Sequence, residues 1–172
     1  MVSIVKAKED DSHLLSEMAK ITLLESHGNS ATAEDMNHYV TKNYSEDVLK
    51  KELQDPGNIY HILYYNNKAA GYSKIILNSP YEKGSVKNMA KLERLYLLKE
   101  FYNLHLGVKL FEFNVNLIKE SKQSGVWLTV WTENQRAINF YKKNGFEIIG
   151  SCDFKISETH SNPNHQMLLS FK

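Results

Sequence analysis

The stretch WTENQRAINFYKKNGF, from Trp131 to Phe146, carries Asn134, Ala137, Phe140, Tyr141, Gly145 and Phe146 behind an apolar strand. Asn134 suits a helix N-cap, because its side-chain oxygen can accept a backbone N–H of the first turn. Tyr141 brings a phenol, which can give a proton or a hydrogen bond to a departing group. Outside this pattern, a Phe-Tyr pair would simply bury a short helix against a sheet. Upstream, Glu93 lies on a predicted strand, where a carboxylate can relay a proton, directly or through water, or pair with a neighbouring cation. Between them, Tyr102-Asn103-Leu104-His105-Leu106-Gly107-Val108 leads into an amphipathic helix. Successive backbone N–H groups at a helix N-terminus make an anion site, which the helix dipole reinforces. With one glycine in that loop, His105 must turn away from a bound anion or hydrogen-bond to it; an ordinary capping loop fits the same residues.

Other reactive side chains point nowhere in particular. His27, His38, His160 and His165 lack metal-ligand spacing, so no metal is expected. Cys152, the single cysteine, has no base beside it in sequence and excludes an intrachain disulfide. Trp127 and Trp131 share one face of a strand and are expected in the core.

The elements that must hold these residues follow from periodicity. A strand over Ser3–Ala7 precedes a helix that Ser12 can cap, with Leu14, Leu15, Met18 and Ile21 at helical spacing and Gly28 at its end. Thr32 and Asp35 have the spacing of a capping box that opens a second helix. Ser45 restarts a turn or two, and Asp55-Pro56-Gly57 stops it. From Ile59 the period changes to that of strands: Ile59–Tyr65, a turn at Asn66-Asn67, then Ala69–Leu77. Residues 78–88 are loop, and Lys91–Leu97 is a strand. A helix follows over Leu106–Lys122 with Gly125 just beyond it, then a buried strand over Val126–Trp131. A short helix over Asn134–Asn144 ends at Gly145. Two last strands, Phe146–Ile156 and Gln166–Phe171, flank a long polar loop. The order predicts an α/β fold with a mixed, mostly antiparallel central sheet of about six to seven strands and helices on both faces.

The chain has 172 residues, and one domain over 1–172 is expected. A formal net charge of +1 argues against nucleic-acid or membrane-surface partners. With no signal-like or membrane-spanning run, a cytoplasmic protein is expected.

KLERLYLLKEFYNLHLGVKLF (Lys91–Phe111) and the Trp131–Phe146 pattern together resemble the GNAT superfamily of N-acetyltransferases. Within it, GYSK at 71–74, LERLYLL at 92–98, VWLTVWTEN at 126–134 and INFYKKNGF are similar to the PaiA-type spermidine/spermine (polyamine) N-acetyltransferases. The resemblance implies acetyl transfer from acetyl-CoA to a primary amine, a polyamine or another small amine, and a homodimer. It implies Tyr141 as general acid and Glu93 as base. Leu95, Tyr96 and Leu97 would pair with the pantetheine arm, Tyr102–Val108 would cradle the pyrophosphate, and Asn134, Ala137, Phe140 and Lys143 would complete the cofactor site. The family's loop, Gln/Arg-x-x-Gly-x-Gly/Ala, keeps only its last glycine here, Gly107. The family's frequent acid two residues before Glu93 is replaced by Lys91. A polycation acceptor would call for carboxylates, and Glu25, Glu34, Asp35, Glu46 and Asp47 of the helical insertion are the candidates. An acetyltransferase acting on a protein N-terminus or lysine, and a CoA-binding regulatory module, are the alternatives.

Overall fold

The computed structural model describes residues 1–171. Its elements run β1 (Val2–Lys6), α1 (Ser12–His27), α2 (Ala33–Asn43), α3 (Glu46–Gln54), β2 (Asn58–Tyr65), β3 (Lys68–Ile76), β4 (Met89–Leu97), α4 (Leu106–Glu120), β5 (Gly125–Trp131), α5 (Gln135–Lys143), β6 (Glu147–Lys155) and β7 (Ser161–Ser170). All seven strands join one sheet in the order β1-β2-β3-β4-β5-β7-β6. Only β4 and β5 run parallel, as a strand–helix–strand crossover requires.

Local chemistry explains the boundaries. Thr32 Oγ1 accepts from Asp35 N at 3.1 Å and Ser45 Oγ from Val48 N at 3.3 Å, so both insertion helices start on side-chain caps. Asn66 and Asn67 take φ of 48° and 64°, the left-handed pair that a tight β2–β3 hairpin needs. One core packs α1, α2 and α3 on Tyr60, Ile62 and Tyr72. On the other face α4 and α5 cover Ile75, Leu92, Leu128, Val130 and Met167. The sheet is thus sandwiched between two helical layers.

Several expectations change. Ser12 is the first residue of α1 rather than its cap; Asp11 precedes the helix. The segment after Ser45 is a nine-residue helix. Helix α4 closes through Lys122, at φ 58°, while Gly125 opens β5, where a Cβ would stand 2.5 Å from Leu169 O. The long polar loop before Gln166 is mostly strand, since β7 begins at Ser161. Its Asn162-Pro163-Asn164 start hid it: Pro163 offers no N–H, but its carbonyl accepts Thr132 N at 3.0 Å. Among the described residues no helix is long and apolar enough to cross a membrane.

Candidate active site

Strand β4 builds the site by being irregular. It pairs with β3 through Lys74↔Arg94 and Ile75↔Leu92, which leaves Glu93 as an extra, bulged residue. A bulge breaks the in–out alternation, so Glu93 can face the same side as Arg94. On its other edge, β4 pairs with β5 only at Met89↔Gly125, Ala90↔Val126 and Lys91↔Trp127. Beyond Lys91 the two strands part, and the β4 edge from Leu92 onward loses its partner strand.

The parting opens a cleft of about 350 Å³ that passes through the sheet. Its lining includes Ala137 and Tyr141 from the α4–α5 side, and Tyr39, Tyr44 and Arg94 from the other. Tyr141 is 9% exposed and packed edge-on against Phe140 and Phe146 at centroid distances of 5.4 and 5.3 Å. Burial raises its phenol well above the ordinary value, so it stays protonated at any working pH. Asn134 lines the cleft and caps α5, its Oδ1 accepting Ala137 N at 3.2 Å. The cap expected of it is present.

Glu93 lies in a compact charge cluster. Lys74 Nζ is 2.5 Å from Glu93 Oε2 and donates to Glu52 Oε2 at 3.2 Å. Tyr60 OH donates to Glu52 and accepts from Arg94 Nη1 at 2.8 Å. Lys91 Nζ stands 3.7 Å from Glu93 Oε1. Burial pushes the Glu93 carboxyl up, but Lys74, Lys91 and Arg94 outweigh it and hold it below its ordinary value. The group is an ionised carboxylate and a weak base.

Leu95 and Tyr96 line the cleft, and Leu97 packs where β4 meets Gly71. Tyr102–Val108 lies outside the cleft at the start of α4. There Asn103 and His105 take φ of 65° and 57°, so two positions of the loop adopt left-handed backbone without being glycine. Alternating left-handed residues make successive N–H groups converge, as in anion-binding nests. His105→Val should therefore lower stability by about 1–2 kcal/mol, because a β-branched residue resists this conformation. His105→Asn should stay within about 0.5 kcal/mol, since Asn adopts it readily; equal melting temperatures for the two variants would contradict the strained-loop account. A Cβ at Gly107 would meet Leu97 Cδ1 at 3.6 Å, an ordinary contact, so the position has room for a small side chain. Phe140 packs on Phe111 at 5.5 Å, and Lys143 is exposed in the last turn of α5.

Some contributors escaped the sequence. Arg136 lays its guanidinium 3.7 Å over the Tyr102 ring, bringing a cation to the loop from α5. His27, considered only as a metal ligand, lines the cleft between Trp131 and Tyr96, at 5.5 and 6.3 Å. Burial lowers its pKa to about 4, so it is neutral at pH 7. Ser26 gives its proton to Thr22 O at 2.9 Å and therefore accepts from His27 Nδ1–H, leaving Nε2 as an acceptor. Trp131 is cleft wall, not core; Trp127 is buried and donates to Ser79 O at 2.7 Å. Cys152 is half-buried on the cleft wall, with its thiol raised by burial.

The acidic residues of the insertion do not line the cleft. Glu34, Asp35, Glu46 and Asp47 occupy the first turns of α2 and α3, where the helix dipole favours acids, and Glu25 accepts Lys99 N at 3.1 Å. Among the described residues no group of three His, Cys, Asp or Glu is placed to hold a metal ion.

The family model described as acetyltransferase (GNAT) family matches residues 24–146. An uncharacterized N-acetyltransferase of Lactobacillus delbrueckii subsp. lactis is 33% identical over 144 residues, 84% of this chain and 83% of that protein. A spermine/spermidine N(1)-acetyltransferase of Bacillus subtilis is 25% identical over 93 residues, 54% of this chain and 61% of that one. The crystal structure of PaiA N-acetyltransferase from Thermoplasma acidophilum, in complex with coenzyme A, superposes with a TM-score of 0.80 at 19% identity, covering 99% of each chain. The parted parallel strands, the left-handed loop and the family match coincide in one segment, and the chain belongs to the GNAT acetyltransferase family.

Proposed function

We propose that the chain moves the acetyl group of acetyl-CoA directly to the primary amine of a small molecule. The observation that carries this is the unpartnered β4 edge opening into a cleft that Tyr141 lines. An N–C bond forms as the C–S bond breaks; the amine loses a proton and the sulfur leaves as a thiol. Acetyl-CoA supplies the activated acetyl thioester.

The chain's residues divide the rest. Backbone groups of Leu95, Tyr96 and Leu97 offer an extended arm the pairing that β5 no longer gives. Their N–H groups also stabilise the negative charge that develops on the thioester oxygen. The Tyr102–Val108 loop and the α4 N-terminus fit a pyrophosphate, with Arg136 adding the cation that the loop lacks. Asn134, Ala137 and Phe140 border the arm, and Lys143 is the outer phosphate contact. Tyr141 donates to the departing sulfur. Reference values near 10 for a phenol and 8.5 for a thiol already make complete proton transfer uphill by about 2 kcal/mol, and burial of Tyr141 raises its phenol further, so a hydrogen bond does most of the stabilising. Glu93, a weak base, orients the incoming ammonium and passes its proton to water rather than keeping it.

Sequence similarity to polyamine acetyltransferases supports a polyamine acceptor, and a homodimer belongs to the same reading. The charge balance of the cleft favours a second one: Lys91 and Arg94 line it alongside Glu93 and Asp153, so it has no surplus of carboxylates.

A thermal-shift titration run beside a thiol-release assay tests the proposal. Acetyl-CoA at a hundred times its dissociation constant should stabilise the fold by about 2.7 kcal/mol, and an amine should then trigger release. Without stabilisation the proposal fails. Stabilisation with no release on any amine would favour a CoA-binding regulatory module.

A further inference from the structure

Strand β7 brings two buried amides to the cleft. Asn162 and Asn164 are 2% and 6% exposed, and both line the cavity. Alternation puts them on one face, with Pro163 between them pointing away. Asn164 lies across from Trp131 of β5 and Cys152 of β6, and Asn162 across from Phe154. Asn162 Oδ1 accepts from His160 Nε2–H at 2.9 Å, yet among the described residues its Nδ2 has no partner, and neither has Asn164 Oδ1. A buried amide atom without a partner is costly, which marks a place where a ligand completes the pairing. One atom is a donor and the other an acceptor, so the complement must present an acceptor and a donor close together.

Charge narrows the complement further. Lys91, Arg94, Glu93 and Asp153 line the cleft, and behind them Lys74 and Glu52 pair across the same cluster. Three cations face three carboxylates. Glu93, which lines the cleft beside Lys91 and Arg94, is already held by Lys74. A polyamine would bring two or more positive charges into a site with no negative charge to spare, and burying unmatched charge is costly. The phenols of Tyr39, Tyr44 and Tyr96 stay neutral, since burial raises each above its ordinary value.

We infer that the acceptor is an amine with a carbonyl oxygen on the neighbouring carbon, the chemistry shared by an α-amino acid, its amide and a peptide N-terminus. Asn162 Nδ2 donates to that oxygen, and Asn164 Oδ1 accepts an N–H from the amine end. This rests on the acetyl-transfer reading and specifies its acceptor.

The test measures thiol release from acetyl-CoA with alanine, alaninamide, an alanyl dipeptide, isopropylamine and spermidine. The carbonyl-bearing amines should exceed isopropylamine and spermidine in kcat/KM by about 10–100-fold, the scale of one buried polar group left unpaired by the wrong substrate. Within the first three, preference for alanine assigns the oxygen to a carboxylate near Lys91 and Arg94. Preference for alaninamide or the dipeptide assigns it to an amide carbonyl. Asn162→Ala should collapse the ratio of alaninamide to isopropylamine toward one, and Asn162→Asp, which keeps the shape but removes the donor, should do the same. Thermal-shift titration with acetyl-CoA reports whether each variant folds and binds the cofactor. Spermidine or isopropylamine matching the carbonyl-bearing amines, or an unchanged ratio in both variants, overturns this inference while leaving acetyl transfer standing. No release with any of the five amines overturns acetyl transfer, and the inference with it.

Discussion

Tyr141→Phe is expected to cut turnover by about 10²–10³-fold while leaving acetyl-CoA affinity within about two-fold, the pattern of a group that acts on the departing sulfur. The substitution removes one oxygen from a ring that is otherwise held by Phe111, Phe140 and Phe146. The packing survives it, and so should the melting temperature. The Tyr141 hydroxyl has no hydrogen-bond partner among the described residues, so no buried group is orphaned by its loss. Because burial keeps the phenol protonated, the wild-type rate should show no fall on the alkaline side attributable to this residue. Steady-state kinetics with the amine saturating, together with a calorimetric titration of acetyl-CoA, would check both halves. Turnover within five-fold of wild type would take Tyr141 out of the donor role. Weakened cofactor binding at unchanged turnover would make it a wall of the arm site instead.

How much of this was legible in the sequence depends on how local the cause is. The caps at Thr32 and Ser45, the Asn66-Asn67 turn and the α5 pattern are set by neighbours a few residues apart, and they were readable. The parting of β4 from β5 was not, because it depends on which residues pair across the sheet; both strands read as ordinary apolar runs. The bulge at Glu93 depends on register with β3 and is equally silent. It decides the chemistry, since it gathers Glu93 and Arg94 with Lys74 into one cluster. Asn162 and Asn164 carried a usable signal, two amides at strand spacing, but Pro163 between them read as loop. The left-handed His105 was legible only through the family's glycine at that position. The acids of the insertion misled because their local task, capping helix starts, is as common as lining a cleft.

Lys74→Met is the substitution expected to cost the most stability, about 3–5 kcal/mol at pH 7. The side chain of Lys74 is 6% exposed and neutralises Glu52 at 3.2 Å and Glu93 at 2.5 Å. Methionine fills most of the same volume, so the loss is electrostatic: two partly buried carboxylates keep their desolvation cost and lose their nearest cation. At roughly 2–4 °C per kcal/mol for a domain of this size, the melting temperature should fall by about 6–20 °C. The pH dependence gives the sharper check. In the wild type the Glu93 carboxyl lies below its unfolded value, so its stabilisation is complete above that value, near 4.3, and fades as pH falls through the folded one. In the variant, burial is opposed only by Lys91 and Arg94, and the folded carboxyl moves upward. Protonation then relieves the folded state, and the variant should lose less ground as pH drops from 7 to 5. The gap between the two melting temperatures should narrow over that interval. Adding Glu93→Gln to Lys74→Met should recover part of the loss at pH 7, because it removes one uncompensated charge. A gap that stays constant with pH, with no recovery in the double variant, would mean that Lys74 contributes by packing alone and that Glu93 is not held ionised by it.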